Sequence, residues 1–290
     1  MEDKILILRN SVNDYFFSCI AQEYNIHSVY YNKIEYYLFK MLSLFHLNHP
    51  RLLFGWKRRV KLYKKIIIFD YGWQPEITTY IKKYNSNCKI HLFFFNVIEN
   101  SRHKSMLKDD NIDKYWTFDL NDAQKYNINF NSPMYTKRIA NFLCESIEIK
   151  TDIVFVGKAK NREQLIKDIE KQCINQGLAT EFKIIKTEKD YIKYMDYLKL
   201  VMKSKCILDI TNKNQRGLTL RFMEALFLSK KLITNNIDIV NYSFYNPNNI
   251  FVLGMNNYNM LFEFISTPFI KCNEEDLDYY DMKEWINRFV

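Results

Sequence analysis

The sequence predicts an α/β protein of two Rossmann-like domains facing across a cleft. Three observations predict it. Short apolar runs alternate with helical stretches, the pattern of parallel strands joined by crossover helices. The alternation starts afresh near residue 150. The 290 residues suffice for two domains of ordinary size.

The first unit opens with Lys4-Ile-Leu-Ile-Leu8, a buried-strand pattern, followed by helical spacing over Asn13 to Tyr24. His27 to Tyr31, Lys65-Ile-Ile-Ile-Phe-Asp70, Lys89-Ile-His-Leu-Phe-Phe-Phe95 and Lys114 to Phe118 read as further strands. Pro75 to Tyr84 reads as a helix entered through its proline. The second unit begins at Asp152-Ile-Val-Phe-Val156 and Gly157. A long amphipathic helix, Arg162 to Gln176, stops at Gly177. Strand Phe182 to Ile185, helix Tyr191 to Lys203, strand Cys206 to Ile210, helix Leu218 to Leu228 and strand Lys231 to Thr234 follow, with a last strand near Ile250 to Leu253. Glu274 to Val290 reads as one amphipathic helix with Leu277, Tyr280, Met282, Trp285, Ile286 and Phe289 on a face. The expected division is an N-terminal domain over 1–148, a second over 149–272, and a C-terminal helix over 273–290 that packs back on the first.

Composition narrows the class. With 48% hydrophobic residues and only 6 Gly and 5 Pro, the chain can bury a real core, which excludes a disordered protein. The net charge of +9 suits a nucleic acid, an anionic membrane surface or a phosphorylated ligand, without choosing among them. The six cysteines form no CxxC pair and read as buried reduced thiols. No export signal or run of ~18 apolar residues is visible, so a cytoplasmic protein is expected, with a peripheral place at the inner face of the cell membrane as a further expectation.

Four segments carry candidate chemistry. In Asp209-Ile-Thr-Asn-Lys-Asn-Gln-Arg-Gly-Leu-Thr-Leu-Arg-Phe-Met-Glu-Ala-Leu226 a buried strand ends at Asp209, and after a polar loop and Gly217 a helix begins near Leu218. A helix start offers free N–H groups and partial positive charge to phosphate. Arg221 lies one turn in, and Glu224 three residues on suits the paired hydroxyls of a ribose. The same spacing also fits an ordinary strand–loop–helix with an internal Arg–Glu pair. In Val154-Phe-Val-Gly-Lys-Ala-Lys-Asn-Arg162, Gly157 gives a tight turn and Lys158, Lys160 and Arg162 gather cationic charge suited to a diphosphate; a solvated basic helix start is the alternative. In Ile66–Gly72 and Leu92–Ile98, Asp70 and Asn96 stand at strand ends, placed to reach a cleft or simply to cap the strands. Residues 39–65 mix Phe39, Leu42, Leu44, Phe45, Leu52, Leu53, Phe54 and Trp56 with Arg51, Lys57, Arg58, Arg59, Lys61, Lys64 and Lys65. That mixture suits an anionic membrane surface, or a core helix followed by a solvated one.

The string Gly217–Leu226, followed by Lys230-Lys-Leu-Ile-Thr-Asn235, resembles the donor-site segment of bacterial glycosyltransferases of the GT-B fold. The likeness is greatest to those of lipopolysaccharide and capsule biosynthesis and to the spore-maturation glycosyltransferase-like group. Val154–Arg162, the strands at Ile66 and Leu92, and Phe118–Tyr126 through Pro133-Met-Tyr135 are similar to other parts of that family, so the resemblance spans most of residues 60–290. It implies sugar transfer from a nucleotide-sugar to a surface glycan or lipid-linked glycan acceptor. Donor contacts are implied at Lys158, Lys160, Arg162, Gln215, Gly217, Leu218, Thr219, Arg221 and Glu224, and acceptor chemistry at Asp70 and Asn96. The family often has a second acid seven residues before the position of Glu224; here Gly217 stands there, which leaves the stereochemistry open.

Other chemistries lack their motifs. The five histidines form no metal pattern, no GxSxG elbow or Walker loop occurs, and the one DxD pair, Asp276 and Asp278, falls in the C-terminal helical stretch. No metal and no cofactor are expected; the nucleotide-sugar is a substrate. Alditol-phosphate transfer from a CDP-linked donor is the nearest alternative, ranked lower because no histidine lies beyond residue 103. A non-enzymatic basic nucleic-acid binder or a scaffold is the alternative of another class, and no nucleic-acid motif supports it.

Overall fold

The computed structural model describes residues 5–11, 16–143, 147–158, 160–211 and 217–290. The chain divides into two compact units, 1–131 and 132–290, each built on one parallel sheet.

In unit 1 the strands are β1 (Ile5–Arg9), β2 (Ile26–Ser28), β3 (Lys65–Phe69), β4 (Lys89–Phe94), β5 (Lys114–Thr117) and β6 (Asn129–Phe130), in the order β2-β1-β3-β4-β5-β6. The register sets Leu6 beside Ile66 and Ile66 beside Ile90. Successive residues of β1, β3 and β4 are buried on both faces of the sheet, which is why these strands read as apolar runs rather than alternating ones. Leu6, Ile66, Ile68, Leu92 and Phe94 pack with Phe39, Trp56 and Tyr80 in a single core. Helix Pro75–Tyr84 begins at its proline as expected. Of the helix expected over 13–24, residues 16–24 are described, and only Phe17–Ile20 is helical, with turns over 21–24. The pattern at Asn129–Phe130 escapes sequence reading because two residues show no periodicity; Asn131 N bonding to Thr117 O continues the pairing.

Unit 2 contains β7 (Thr151–Gly157), β8 (Thr180–Ile184), β9 (Ser204–Asp209), β10 (Lys231–Thr234) and β11 (Ile250–Val252), in the order β11-β10-β9-β7-β8. Its core joins Ile153, Phe155, Leu208 and Ile233 to Ile166 and Ile169 of helix Glu163–Asn175 and to Leu261, Phe264 and Ile265. That helix closes at Gly177, which takes φ +76° without strain.

Both sheets place the second strand on one side of the first and the third on the other. The order therefore reverses between β1 and β3 in unit 1 and between β7 and β9 in unit 2. Strands that diverge this way leave a crevice at their carboxyl ends, where α/β sheets hold ligands.

The boundary falls at 131/132, whereas the sequence suggests 148/149. The reason is the C-terminal stretch. Tyr135 N bonds Tyr280 O, Met282 N bonds Tyr135 O, Trp285 Nε1 donates to Ser132 O at 2.8 Å, and Lys137 N donates to Asp281. These bonds hold 132–137 to the chain's end within unit 2. The single helix expected over 274–290 is two, Glu274–Tyr280 and Met282–Asn287, broken at Asp281. Asp281 is extended, pairs with Tyr135, and caps the second helix by accepting from Lys283 N.

Candidate functional site

The carboxyl ends of β7 and β9 bring together most of the donor-site residues expected from sequence. Helix Leu220–Phe227 starts two residues later than expected, with Thr219 as its N-cap: Thr219 Oγ1 accepts from Phe222 N at 3.2 Å and donates to Asp209 Oδ2 at 2.8 Å. Arg221 reaches from the first turn back to β7, where Nη2 donates to Val156 O at 2.8 Å and Nη1 lies 3.5 Å from Asp209 Oδ1. Its guanidinium also sits 5.1 Å from the Phe155 ring centre. Gly157 makes this possible, since a Cβ there would overlap Arg221 Nη2. Arg162 donates through Nη1 to Ile210 O and through Nη2 to Lys158 O at 3.0 Å. Lys158 is exposed, and Gly217 and Leu218 are buried. Just past β9, Thr211 is tied to the end of β10: its N and Oγ1 both donate to Asn235 Oδ1, at 2.7 and 3.0 Å. Gln215 lies outside the described residues, as does the side chain of Lys160.

The electrostatics follow from burial. Asp209 is buried, which pushes its carboxyl up from the usual range against the pull of Arg221, Thr219 and Arg162. Burial, and then the neighbouring Arg221 charge, hold Arg162 below the ordinary arginine value. Two fixed guanidiniums thus face the reluctant carboxyl groups of Asp209 and, for Arg221, Glu224, which leaves the switch point cationic.

Glu224 is placed differently from the expectation. It is 1% exposed, and its Oε2 accepts from Tyr197 Oη at 2.5 Å. Burial raises its pKa to about 7, opposed by bonds from Tyr197 and Tyr194 and by the Arg221 charge. Tyr194 Oη in turn lies 2.8 Å from Tyr135 Oη. The ribose-suited position on the helix is therefore occupied by a side chain turned into a tyrosine cluster. Sequence spacing finds Glu224 on the helix but not Tyr197, which arrives from helix Tyr194–Met202.

In unit 1, Asp70 and Asn96 do come together at the ends of β3 and β4. Asn96 Nδ2 donates to Asp70 Oδ2 at 2.9 Å, and Tyr71 N to Oδ1 at 2.9 Å. His103 Nε2 lies 3.8 Å from Asp70 Oδ2, and Tyr71 Oη donates to Asn96 Oδ1 at 2.9 Å. Asp70 is 1% exposed, and burial pushes its carboxyl up against those contacts. His103 and Tyr71 are the residues sequence reasoning missed here. His103 comes from helix Ser101–Met106, capped by Asn100, a short polar segment with no motif.

Within 39–65, Phe39, Leu53, Trp56 and Lys57 are buried rather than surface groups. Lys57 Nζ bonds Glu35 Oε1 at 2.8 Å and Val29 O, and lies 4.6 Å from the Tyr30 ring centre. Among the described residues no helix is long and apolar enough to cross a membrane, and no group of three or more His, Cys, Asp or Glu is placed to hold a metal.

Fold and site together define a two-unit α/β protein with a cationic switch point in its second unit. No family model matches the chain, and no curated protein matches it. Among solved structures it is similar to an alpha-glucosyltransferase in complex with UDP and a 13-mer DNA containing a central A:G mismatch. That match covers 73% of each chain at 12% identity, with a TM-score of 0.48. It is also similar to an NAD+-bound 3-phosphoglycerate dehydrogenase of Entamoeba histolytica, over 80% of this chain and 72% of that one, at 10% identity and a TM-score of 0.20.

Proposed function

We propose that the protein is a glycosyltransferase whose second unit holds a nucleotide-sugar by its diphosphate. The observation that carries this reading is the pair of guanidiniums, Arg162 and Arg221, fixed on backbone carbonyls near the buried Asp209 at the β7/β9 switch point. A diphosphate complements that excess charge, and exposed Lys158 adds to it. The sugar class rests on the resemblance of 154–162 and 217–226 to GT-B donor segments. In transfer, the acceptor oxygen bonds to the anomeric carbon as the bond to the diphosphate breaks. The electron pair leaves with the nucleoside diphosphate, which Arg162, Arg221 and Lys158 stabilise without a metal.

In this reading Glu224 meets a ribose only when Tyr197 releases it. Asp70 is too buried to touch an acceptor, so it and Asn96 position Tyr71 and His103, and His103 takes the acceptor proton. A bacterial surface glycan, free or lipid-linked, is the acceptor class we infer.

A thermal-shift screen against UDP, GDP, CDP, dTDP and CMP tests the donor site. A nucleotide at 100 times its Kd should stabilise the fold by about 2.7 kcal/mol. We expect one nucleoside diphosphate to stabilise the wild type and to lose that effect in Arg162→Ala. Stabilisation by CDP and CMP alone would move the reading to an alditol-phosphate donor. No shift with any nucleotide, in folded protein, overturns it.

A further inference from the structure

Helix Lys33–Leu44 turns Glu35 and Phe39 inward. Its opposite face carries Ile34, Tyr37, Met41 and Leu44 at intervals of three and four residues, which aligns them in one stripe. All four are at least half exposed, Ile34 at 78% and Leu44 at 74%. The apolar exposure continues past the helix end in Phe45 at 64% and Phe54 at 60%. Scattered exposed apolar groups are ordinary on a protein surface, but a helical stripe of them marks an interaction face.

Charge says which kind. Residues 31–65 hold nine lysines and arginines and one carboxylate, Glu35, a net of +8 in a chain whose net is +9. That carboxylate is buried against Lys57, so it offsets nothing outside. Arg51, Arg58, Arg59 and Lys61 of this stretch are exposed. A second copy of the chain is a poor occupant, because a two-fold interface would set this cationic surface against itself.

We propose that this face docks on an anionic lipid surface, with the stripe Ile34–Leu44 and Phe45 entering the acyl boundary and the arginines on the headgroups. The seat is thus narrower than the whole 39–65 segment. It starts earlier, at Ile34, and leaves out Phe39, Leu53, Trp56 and Lys57, which belong to the core of unit 1. Docking needs no nucleotide, so its failure leaves the donor site untouched.

Sedimentation of the full chain with phosphatidylglycerol/phosphatidylcholine vesicles and with phosphatidylcholine vesicles tests this. We expect binding to the anionic vesicles alone, weakened by salt. Arg58→Gln should weaken it roughly fivefold, and the double variant Leu44→Glu/Phe45→Glu should abolish it. Both variants alter exposed positions, so their melting curves should match the wild type. Equal binding to neutral vesicles, or binding indifferent to both variants, overturns the proposal. So does the absence of vesicle binding, including the case where light scattering finds a dimer that Leu44→Glu/Phe45→Glu dissociates.

Discussion

At Glu224, burial changes what the side chain can do chemically. In water a glutamate titrates near 4.5, but here burial raises the value to about 7. The folded chain therefore holds a proton that the unfolded chain has lost between those two pH values. The sign follows: this group's contribution is fully present below about pH 4.5 and falls away as the pH climbs through 7. The difference amounts to about 3 kcal/mol. Glu224→Gln keeps a neutral acceptor for Tyr197 and removes the titration. Urea denaturation of both proteins at pH 5 and pH 8 should show the glutamine variant gaining on the wild type by about that much at the higher pH. Parallel profiles would mean that the carboxylate is not held in the Tyr197 cluster. The same residue shows the limits of spacing. Its place on a helix after Gly217 is legible, but its direction depends on Tyr197 and Tyr194, which are distant in sequence.

At the scale of elements, the second-unit site depends on one strand end meeting one helix start. β7 ends at Gly157, and Arg221 crosses the missing side chain to reach Val156 O. Gly157→Ala would push the end of a flexible side chain aside rather than the backbone. We expect a stability loss of only about 1 kcal/mol, the value of one net hydrogen bond. Nucleotide affinity should fall by roughly tenfold, since a charge-assisted contact is lost. Titration calorimetry alongside thermal melting separates the two. A variant that binds nucleotide as well as the wild type would remove Arg221 from the donor site. Elements of this kind were largely readable beforehand. The apolar runs Ile66–Phe69 and Ile153–Val156 announce central parallel strands, and Pro75 and Gly177 mark a helix start and stop. Helix Leu120–Tyr126 was not read, since its cap at Asp119 and its left-handed end at Asn127 carry no apolar periodicity.

At the scale of the molecule, the chain's end closes the second unit. Trp285 and Phe289 are fully buried, and Trp285 Nε1 is satisfied by Ser132 O. Trp285→Ala should cost unit 2 about 3–5 kcal/mol, the usual result of emptying a buried aromatic site. Hydrogen exchange should then show β7 and β9 losing protection while β3 and β4 keep theirs. Equal loss in both units would mean that they unfold as one. What the sequence by itself determined is the class of fold, because strand and helix periods are local and each apolar run records burial on both faces. It also determined the concentration of positive charge in 39–65, which is a matter of composition. Tertiary structure alone decided three things. It set the boundary at 131/132, through bonds between 132–137 and the C-terminal helices. It buried Asp70, Asp209 and Glu224. And it sorted residues 31–65 into a core side with Phe39, Trp56 and Lys57 and an exposed side with Ile34, Leu44 and Phe45. Each depends on which distant segment packs against a residue, and burial, not residue type, decides whether a carboxylate meets a ligand or a lysine meets solvent.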